Sequence, residues 1–219
     1  MAPTVAYRDT IALLTLGDDE NRFTPDWLDQ VNALLDEIEG SAQGLVTVGT
    51  GKFYSNGLDL EWLLANGDRS QWYVGRVQEL FNRILTFGLP TAAAVNGHAF
   101  GAGAMLAIAH DHRVMRVDRG YYCFPEVDIN IPFTPGMAAL IQAKLSPRAA
   151  LDAMVGGHRY GGQQATDVGL ADTAVAEAAV VDEAVERLAT QLGKDRGTVS
   201  AIKATMYASV TEALTISSP

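Results

Sequence analysis

The sequence has 219 residues, the usual size of one domain, and a chain of this length forms a core without disulfides or a metal. Its 48% hydrophobic and 19% charged residues exclude wholesale disorder. With 16 basic and 26 acidic residues the net charge is −10, which excludes a general attraction to a phosphate backbone. No nucleic-acid partner is therefore expected.

The sequence carries few signals of location. Its one cysteine, Cys123, excludes an intrachain disulfide and favours a reducing, cytoplasmic location. Residues 1–9 lack the basic start and apolar run of a signal peptide. No run of about 18 apolar residues is present, so no membrane span is expected.

Strand and helix signals alternate from the N-terminus. An apolar, β-branched run at 10–16, ended by Gly17, predicts the first strand. Thr24 before Pro25 is a typical helix start, and apolar residues at helical spacing continue to Gly40.

The same alternation continues along the chain. Further strands are predicted at 44–48, 90–95, 113–115 and 121–124. Of the further helices, one begins at 60, a second covers 71–87, a third ends near 110 and a fourth covers 134–145. From Ser146 onward helical patterns dominate, with breaks at 156–157 and 161–162. This order predicts one α/β domain over residues 1–219, with a core at about 1–145 and a helical region at about 146–219.

Several common catalytic motifs are missing from the sequence. Residues 49–52 hold only a fragment of a phosphate-binding loop, and residues 101–103 lack the third glycine of a dinucleotide fingerprint. No G-x-S-x-G elbow occurs. His110 and His112 are two residues apart and cannot share a helix face, so no zinc or other metal site is expected.

Two loops rich in glycine and small residues are more informative. Residues 53–59 follow one predicted buried strand, residues 96–103 follow another, and each loop leads into a helix. Free amide groups at helix N-termini stabilise anions, and two converging loops would offer two donors to one oxygen. For a single loop, close packing of helix on strand is the simpler explanation. Two loops followed by Pro125–Glu126 at a strand end favour an oxyanion site.

These segments resemble the crotonase, or enoyl-CoA hydratase/isomerase, superfamily. The matching segments are Phe53–Asp59 for F-x-x-G-x-D, Asn96–Gly103 for N-G-x-A-x-G-G-G, Asp111–Arg113, and Phe124–Val127. The resemblance runs in order through essentially the whole chain. It implies a spiral of β-β-α units with a helical C-terminal part, assembled as a homotrimer or hexamer.

The resemblance also implies an acyl-CoA thioester substrate and an enolate held by two backbone amides. Carried over, the amides are those of Leu58 and Ala102, and an alanine at 102 keeps the N–H that this role requires. Coenzyme A enters as part of the substrate, so no separate cofactor is expected. The residues expected to contact the substrate or its coenzyme A are Tyr54, Ser55, Asn56, Gly57, Gly101, Met105 and Phe124.

One departure from the family pattern bears on the reaction. Hydratases of the family use two glutamates, whose positions here are Met105 and Glu126. Methionine cannot activate water or transfer a proton. The chain is thus most similar to the short, plant-type monofunctional Δ3,Δ2-enoyl-CoA isomerases. The expected mechanism has Glu126 remove a proton from C2 of a 3-enoyl-CoA and return it at C4, with an apolar pocket that raises its pKa.

Two alternatives remain open from the sequence. A hydratase would need a second acid near Glu126; Glu61 is the sequence candidate, although a solvated charge on a helix face is the simpler explanation. Asp128 shares the face of Glu126 if that segment is extended and would then assist it, although a helix-capping or salt-bridge role is the simpler explanation. A non-catalytic acyl-CoA-binding or assembly subunit would bind coenzyme A without turnover. Side chains considered as pocket walls besides Met105 and Phe124 are Trp62 and Phe133.

Overall fold

The computed structural model describes residues 1–218. Its strands are β1 Thr4–Arg8, β2 Ile11–Thr15, β3 Gly44–Val48, β4 Phe53–Ser55, β5 Thr91–Val95, β6 His98–Phe100, β7 His112–Arg116, β8 Tyr122–Cys123 and β9 Thr173–Val175. Its helices are α1 Pro25–Ser41, α2 Leu60–Ala65, α3 Ser70–Leu85, α4 Ala102–Ala109, α5 Pro135–Lys144, α6 Pro147–Gly156, α7 Gly162–Asp167, α8 Val180–Ala189, α9 Arg196–Met206 and α10 Ala208–Ala213.

The strands form two sheets through a repeated β-β-α unit. The larger sheet has the order β1-β2-β3-β5-β7-β9, and every pair except the antiparallel β1–β2 is parallel. The smaller sheet has the order β4-β6-β8 and is parallel throughout. From β3 to β8 each unit adds one strand to the larger sheet and one to the smaller before the chain enters a helix, whereas β1 and β2 both join the larger sheet. The expected crotonase-type α/β spiral is confirmed.

Helix α4 lies at the centre of the molecule, and all eight of its residues are buried. Its sequence, Ala102–Ala109, is rich in alanine and glycine, so neighbouring elements can approach its backbone closely. It packs against α3, α5 and β6. The central position of α4 fixes its N-terminus next to the smaller sheet.

A buried polar network joins the two sheets beside α4. The Nδ1 of His110 is 2.8 Å from the Leu106 carbonyl, and its Nε2 is 3.0 Å from the Thr47 hydroxyl. Thr47, on the larger sheet, is 2.8 Å from the Tyr54 hydroxyl on the smaller sheet. Burial lowers the pKa of His110 to about 4, so the imidazole is neutral at physiological pH. An N–H at Nδ1 leaves Nε2 to accept from Thr47, which in turn accepts from Tyr54.

The structure adds four strands to the sequence expectation: β1, β4, β6 and β9. Both glycine-rich segments interpreted as loops contain a three-residue strand, β4 in one and β6 in the other, and these two strands pair. Strands of this length are too short to show a period of two. The C-terminal region is helical as expected, apart from β9, which completes the edge of the larger sheet. Among residues 1–218 no helix is long and apolar enough to cross a membrane.

Candidate active site

Pairing of β4 with β6 brings the two glycine-rich turns into contact. Gly57, after β4, has φ +76°, and a Cβ there would lie 2.8 Å from the Ala102 and Gly103 nitrogens and from the Phe100 carbonyl oxygen. Real Cβ atoms do not approach so closely, so only glycine fits at this position. The turn at 56–58 therefore lies directly against the N-terminus of α4.

The hydrogen bonds around Gly57 direct the next amide toward open space. The Gly57 carbonyl accepts a hydrogen bond from the Phe23 amide at 2.9 Å. In a trans peptide the N–H points opposite to the C=O, so the Leu58 N–H points away from Phe23. Within the described residues the Leu58 amide donates no hydrogen bond. It is a free donor beside α4.

The second donor is the Ala102 amide, because Ala102 is the first residue of α4 and the first amides of a helix lack partners within it. Gly101 precedes it with φ +52°, a conformation that favours glycine. Two amides and the positive end of α4 thus meet at one place, an arrangement that stabilises a developing oxyanion.

Glu126 faces this place from the end of β8. The position of a Cβ on Gly101 would be 3.3 Å from the Glu126 Oε1, so the carboxyl group lies over the Gly101 backbone. Glu126 is 8% exposed, and its Oε2 has no hydrogen-bond partner among the described residues. Burial raises its pKa from 4.5 to about 7. A carboxyl group with that pKa is suited to take up and return a proton near neutral pH.

A cavity of about 270 Å³ is lined by Leu58, by Gly101, which precedes Ala102, and by Glu126. Its walls are mainly apolar and come from five parts of the chain. The lining residues are Arg22, Asn56, Leu58, Leu60, Phe100, Gly101, Cys123, Pro125, Glu126, Ile129, Ile131 and Arg159. Glu126 is the one carboxylate among them.

The first turn holds the other residues expected to contact coenzyme A. Asn56 lines the cavity. Ser55 is buried; its Oγ donates to the Asn21 carbonyl and accepts from the Gly57 amide, so it shapes the turn. Tyr54 is buried, with its hydroxyl in the network described above.

Met105 and Phe124 are at most 1% exposed and lie in the core, outside the set of residues that line the cavity. Trp62 and Phe133 are half-buried and pack against the same core. Their roles as walls therefore remain predictions, whereas the structure places other apolar side chains at the cavity.

Neither Glu61 nor Asp128 lies at the cavity. The segment at Asp128 is not extended, because Pro125 begins a tight turn in which its carbonyl accepts from the Asp128 and Ile129 amides. Asp128 is exposed and approaches Gly157 instead. Glu61 is exposed on α2, whose N-terminus is capped by Asp59.

Eight lining residues were not among the expected site residues: Arg22, Leu60, Phe100, Cys123, Pro125, Ile129, Ile131 and Arg159. They lie outside the catalytic motifs or at motif positions with no chemical signature. Arg22 follows Asn21, which adopts a φ of 49°, and asparagine is a residue type that tolerates a positive φ. An asparagine before Arg22 was thus the one local feature of the sequence consistent with a turn at this point. Cys123 also lines the cavity; burial raises the pKa of its thiol to about 11, so it is no thiolate at neutral pH.

Comparison with known proteins agrees with this geometry. The chain belongs to the enoyl-CoA hydratase/isomerase family, whose model matches residues 7–218. It is 37% identical over 200 residues to enoyl-CoA delta isomerase 3 of Arabidopsis thaliana, covering 87% of this chain and 83% of that protein. It is also 28% identical over 200 residues to a probable enoyl-CoA hydratase of Bacillus subtilis, covering 88% of this chain and 76% of that protein.

The fold is also similar to that of solved structures. The human mitochondrial delta3-delta2-enoyl-CoA isomerase superposes with a TM-score of 0.89 at 21% identity, covering 98% of this chain and 86% of that chain. At this identity the match shows the fold. The chain is thus an acyl-CoA enzyme of the crotonase type.

Proposed function

We propose that this protein is an enoyl-CoA isomerase that converts a 3-enoyl-CoA into the trans-2-enoyl-CoA, with Glu126 as the one proton-transfer group. The observation that carries the proposal is that Glu126 is the one carboxylate among the residues that line the cavity, where Leu58 and Gly101 also lie. The similarity to enoyl-CoA delta isomerase 3 of Arabidopsis thaliana supports the same activity.

The proposed reaction begins with the thioester oxygen between the Leu58 and Ala102 amides. Ionised Glu126 removes a proton from C2, and the C2–H electron pair forms the enolate, whose charge rests on the thioester oxygen. The two N–H groups stabilise that charge. The electron pair then shifts along the chain, C4 takes the proton from Glu126, and the double bond ends between C2 and C3. One carboxyl group suffices because both transfers occur on one face of the acyl chain.

The environment of Glu126 supports this role. A pKa of about 7 leaves a substantial fraction ionised at neutral pH while making the carboxylate a stronger base than an exposed one. Because Oε2 has no described partner, that oxygen is available to reach two carbons of the substrate without breaking a protein hydrogen bond.

Hydration is the second candidate, since one relative is a probable enoyl-CoA hydratase. Adding water across a double bond calls for a second acid–base group to activate the water. Met105 occupies the position of the first hydratase glutamate, and Glu61 and Asp128 are exposed and outside the cavity lining. The geometry therefore favours isomerisation.

The test uses trans-3-hexenoyl-CoA and crotonyl-CoA in parallel with wild-type protein, Glu126→Gln, Glu61→Gln and Asp128→Asn. Isomerisation of the first substrate is expected, and Glu126→Gln is expected to lower its kcat by about 10³-fold, within the range for loss of a general base. The other two variants serve as matched controls and are expected to keep wild-type rates. Dominant hydration of crotonyl-CoA, or a loss of rate in either control, would contradict the proposal.

If neither substrate is turned over while coenzyme A binding remains intact, the result would favour the non-catalytic alternative.

We also propose a homotrimer or hexamer, a cytoplasmic location and a single domain over residues 1–219, as the sequence suggested. Sedimentation at micromolar concentration tests the oligomeric state.

A further inference from the structure

We propose that Arg22 is a positioning residue that holds the Leu58 amide in its oxyanion-binding orientation. The proposal rests on the function proposed above and concerns a residue outside both glycine-rich turns. Arg22 lines the cavity, and its guanidinium group contacts the peptide next to the donor amide.

The backbone at Arg22 is locked against the first turn. Asn21 adopts φ +49°, and its side-chain amide donates to the Tyr54 carbonyl at 2.9 Å. Arg22 then forms a parallel β-bridge with Gly57. The neighbouring Phe23 amide binds the Gly57 carbonyl, so this short segment fixes the peptide plane between Gly57 and Leu58.

The guanidinium group fixes the following peptide plane. Its Nη1 donates to the Leu58 carbonyl at 3.0 Å, while the Asp59 amide of the same peptide donates to the Tyr73 hydroxyl at 2.9 Å. Both sides of the peptide between Leu58 and Asp59 are therefore held. The Leu58 N–H lies in the peptide plane before Leu58, and with the plane after Leu58 also held, the first plane is restrained from turning about the two soft dihedrals of Leu58.

Arginine suits this task because its donors form a rigid fork. The Nε donates to the Glu20 carboxylate at 2.6 Å, which holds the group while Nη1 binds Leu58. The Glu20 carbonyl accepts from the Asn56 amide at 2.8 Å, so Glu20 is anchored to the same turn. A lysine would keep the charge but has one nitrogen for both acceptors.

A second role for Arg22 would be to bind the polar part of coenzyme A directly, since its side chain is 35% exposed at the cavity. The two roles differ in their consequences. Loss of a binding contact raises KM and leaves the bound substrate polarised as before. Loss of a positioning contact lowers kcat and reduces the polarisation of the bound thioester.

The experiment compares wild-type protein with Arg22→Met, Arg22→Lys and a control, Arg76→Met. Arg76 pairs with Asp29 on the outer face of α3, has a half-buried side chain and lies outside the cavity lining. One readout is kcat and KM with trans-3-hexenoyl-CoA. The other is the absorption of bound 4-dimethylaminocinnamoyl-CoA, whose maximum moves to longer wavelength when hydrogen bonds polarise its thioester carbonyl.

Arg22→Met is expected to lower kcat by about 10- to 100-fold. This effect lies between that of a small misplacement of the Leu58 amide and that of losing one oxyanion donor entirely. Its KM is expected to change little, and the wavelength shift of the bound thioester to fall substantially. Arg22→Lys is expected to give intermediate values, and Arg76→Met wild-type values. If Arg22→Met does not fold, Arg22→Lys carries the same comparison.

A wild-type kcat and wavelength shift with a raised KM in Arg22→Met would overturn the proposal, because Arg22 would then act in binding alone. The absorption readout separates this proposal from the proposed function. If wild-type protein shows the shift but no isomerisation, the proposed function fails, and loss of the shift in Arg22→Met still supports the positioning role. If isomerisation and shift both persist in Arg22→Met, the positioning role alone fails.

Discussion

The proposed oxyanion donors are backbone amides in two turns, whereas the proposed base, Glu126, is a single side chain on a third segment. The amide side is held by glycines with no room for a Cβ, by a hydrogen bond donated by the Phe23 amide, and by hydrogen bonds that the Ser55 and Tyr73 hydroxyls accept. The base side is a tight turn with few polar partners, and the Glu126 Oε2 has none among the described residues.

This difference separates two ways of preparing a group for catalysis. Amide donors are effective when their direction is fixed in advance, which demands many constraints on the backbone. A base is effective when its pKa matches the working pH, which burial alone achieves for Glu126. Changes on the amide side should therefore act through geometry, and changes on the base side through ionisation.

Among changes on the amide side, the largest effect is expected from Gly57→Ala, which alters the geometry directly. The new Cβ would lie 2.8 Å from the Ala102 nitrogen at a backbone φ of +76°, so the two turns must separate. We expect kcat to fall by at least about 10²-fold, the effect of losing one oxyanion donor. Steady-state kinetics and thermal unfolding of the variant check this.

The control for that variant is Gly40→Ala near the end of α1, where nothing lies within 4 Å of the new Cβ. Wild-type kinetics and a free energy of unfolding higher by about 0.5–1 kcal/mol are expected, because alanine favours the helix. Wild-type kinetics in Gly57→Ala would show that contact between the turns is not needed for activity.

The sequence predicted the two glycine-rich turns and the fold better than it predicted the residues that line the cavity. The α/β spiral and the family are confirmed. Both could be predicted because buried strands, helix starts and glycine spacings are local signals in the sequence. The short strands β4 and β6 were missed since their pairing depends on contacts across about 45 residues of chain.

The walls of the cavity were the least predictable part. Met105 and Phe124 lie in the core, while Ile129 and Ile131 line the cavity from an irregular turn that has no periodicity. Arg22 lines it from the short segment between β2 and α1, directly after the positive φ at Asn21. Such placements result from the three-dimensional packing of distant segments and leave no repeating pattern in the sequence.

The base side yields a stability prediction. The Glu126 pKa is raised from 4.5 to about 7 by burial, so the folded protein binds this proton more tightly than the unfolded chain does. Its contribution to stability is present below pH 4.5 and is lost as pH rises through about 7. Relative to Glu126→Gln, the wild-type free energy of unfolding should fall over that window by up to about 3 kcal/mol.

Chemical denaturation of both proteins at pH 5 and pH 8 measures this difference. Glutamine keeps the size of the side chain and never ionises, so changes in other groups cancel in the comparison. A constant difference between the two proteins from pH 5 to pH 8 would mean that the pKa of Glu126 is not raised by folding.

The smallest effect, and the one that joins both sides of the comparison, is the pH dependence of activity. Between about pH 6 and pH 8 Glu126 is the one cavity-lining group expected to titrate, since the Cys123 thiol has a pKa of about 11 and arginines stay charged. Because the base acts when ionised, kcat/KM should rise about tenfold per pH unit well below pH 7 and level off above it.

Activity should thus increase over the same pH range in which the stability contribution of Glu126 declines, because both changes report one ionisation. The amide side contains no titratable donor, so in Glu126→Gln the wavelength shift of the bound chromophoric thioester should stay constant from about pH 6 to 8. A kcat/KM profile that is flat over this range would locate the working base elsewhere. A shift that varies with pH in Glu126→Gln would instead mean that a second titratable group acts on the oxyanion site.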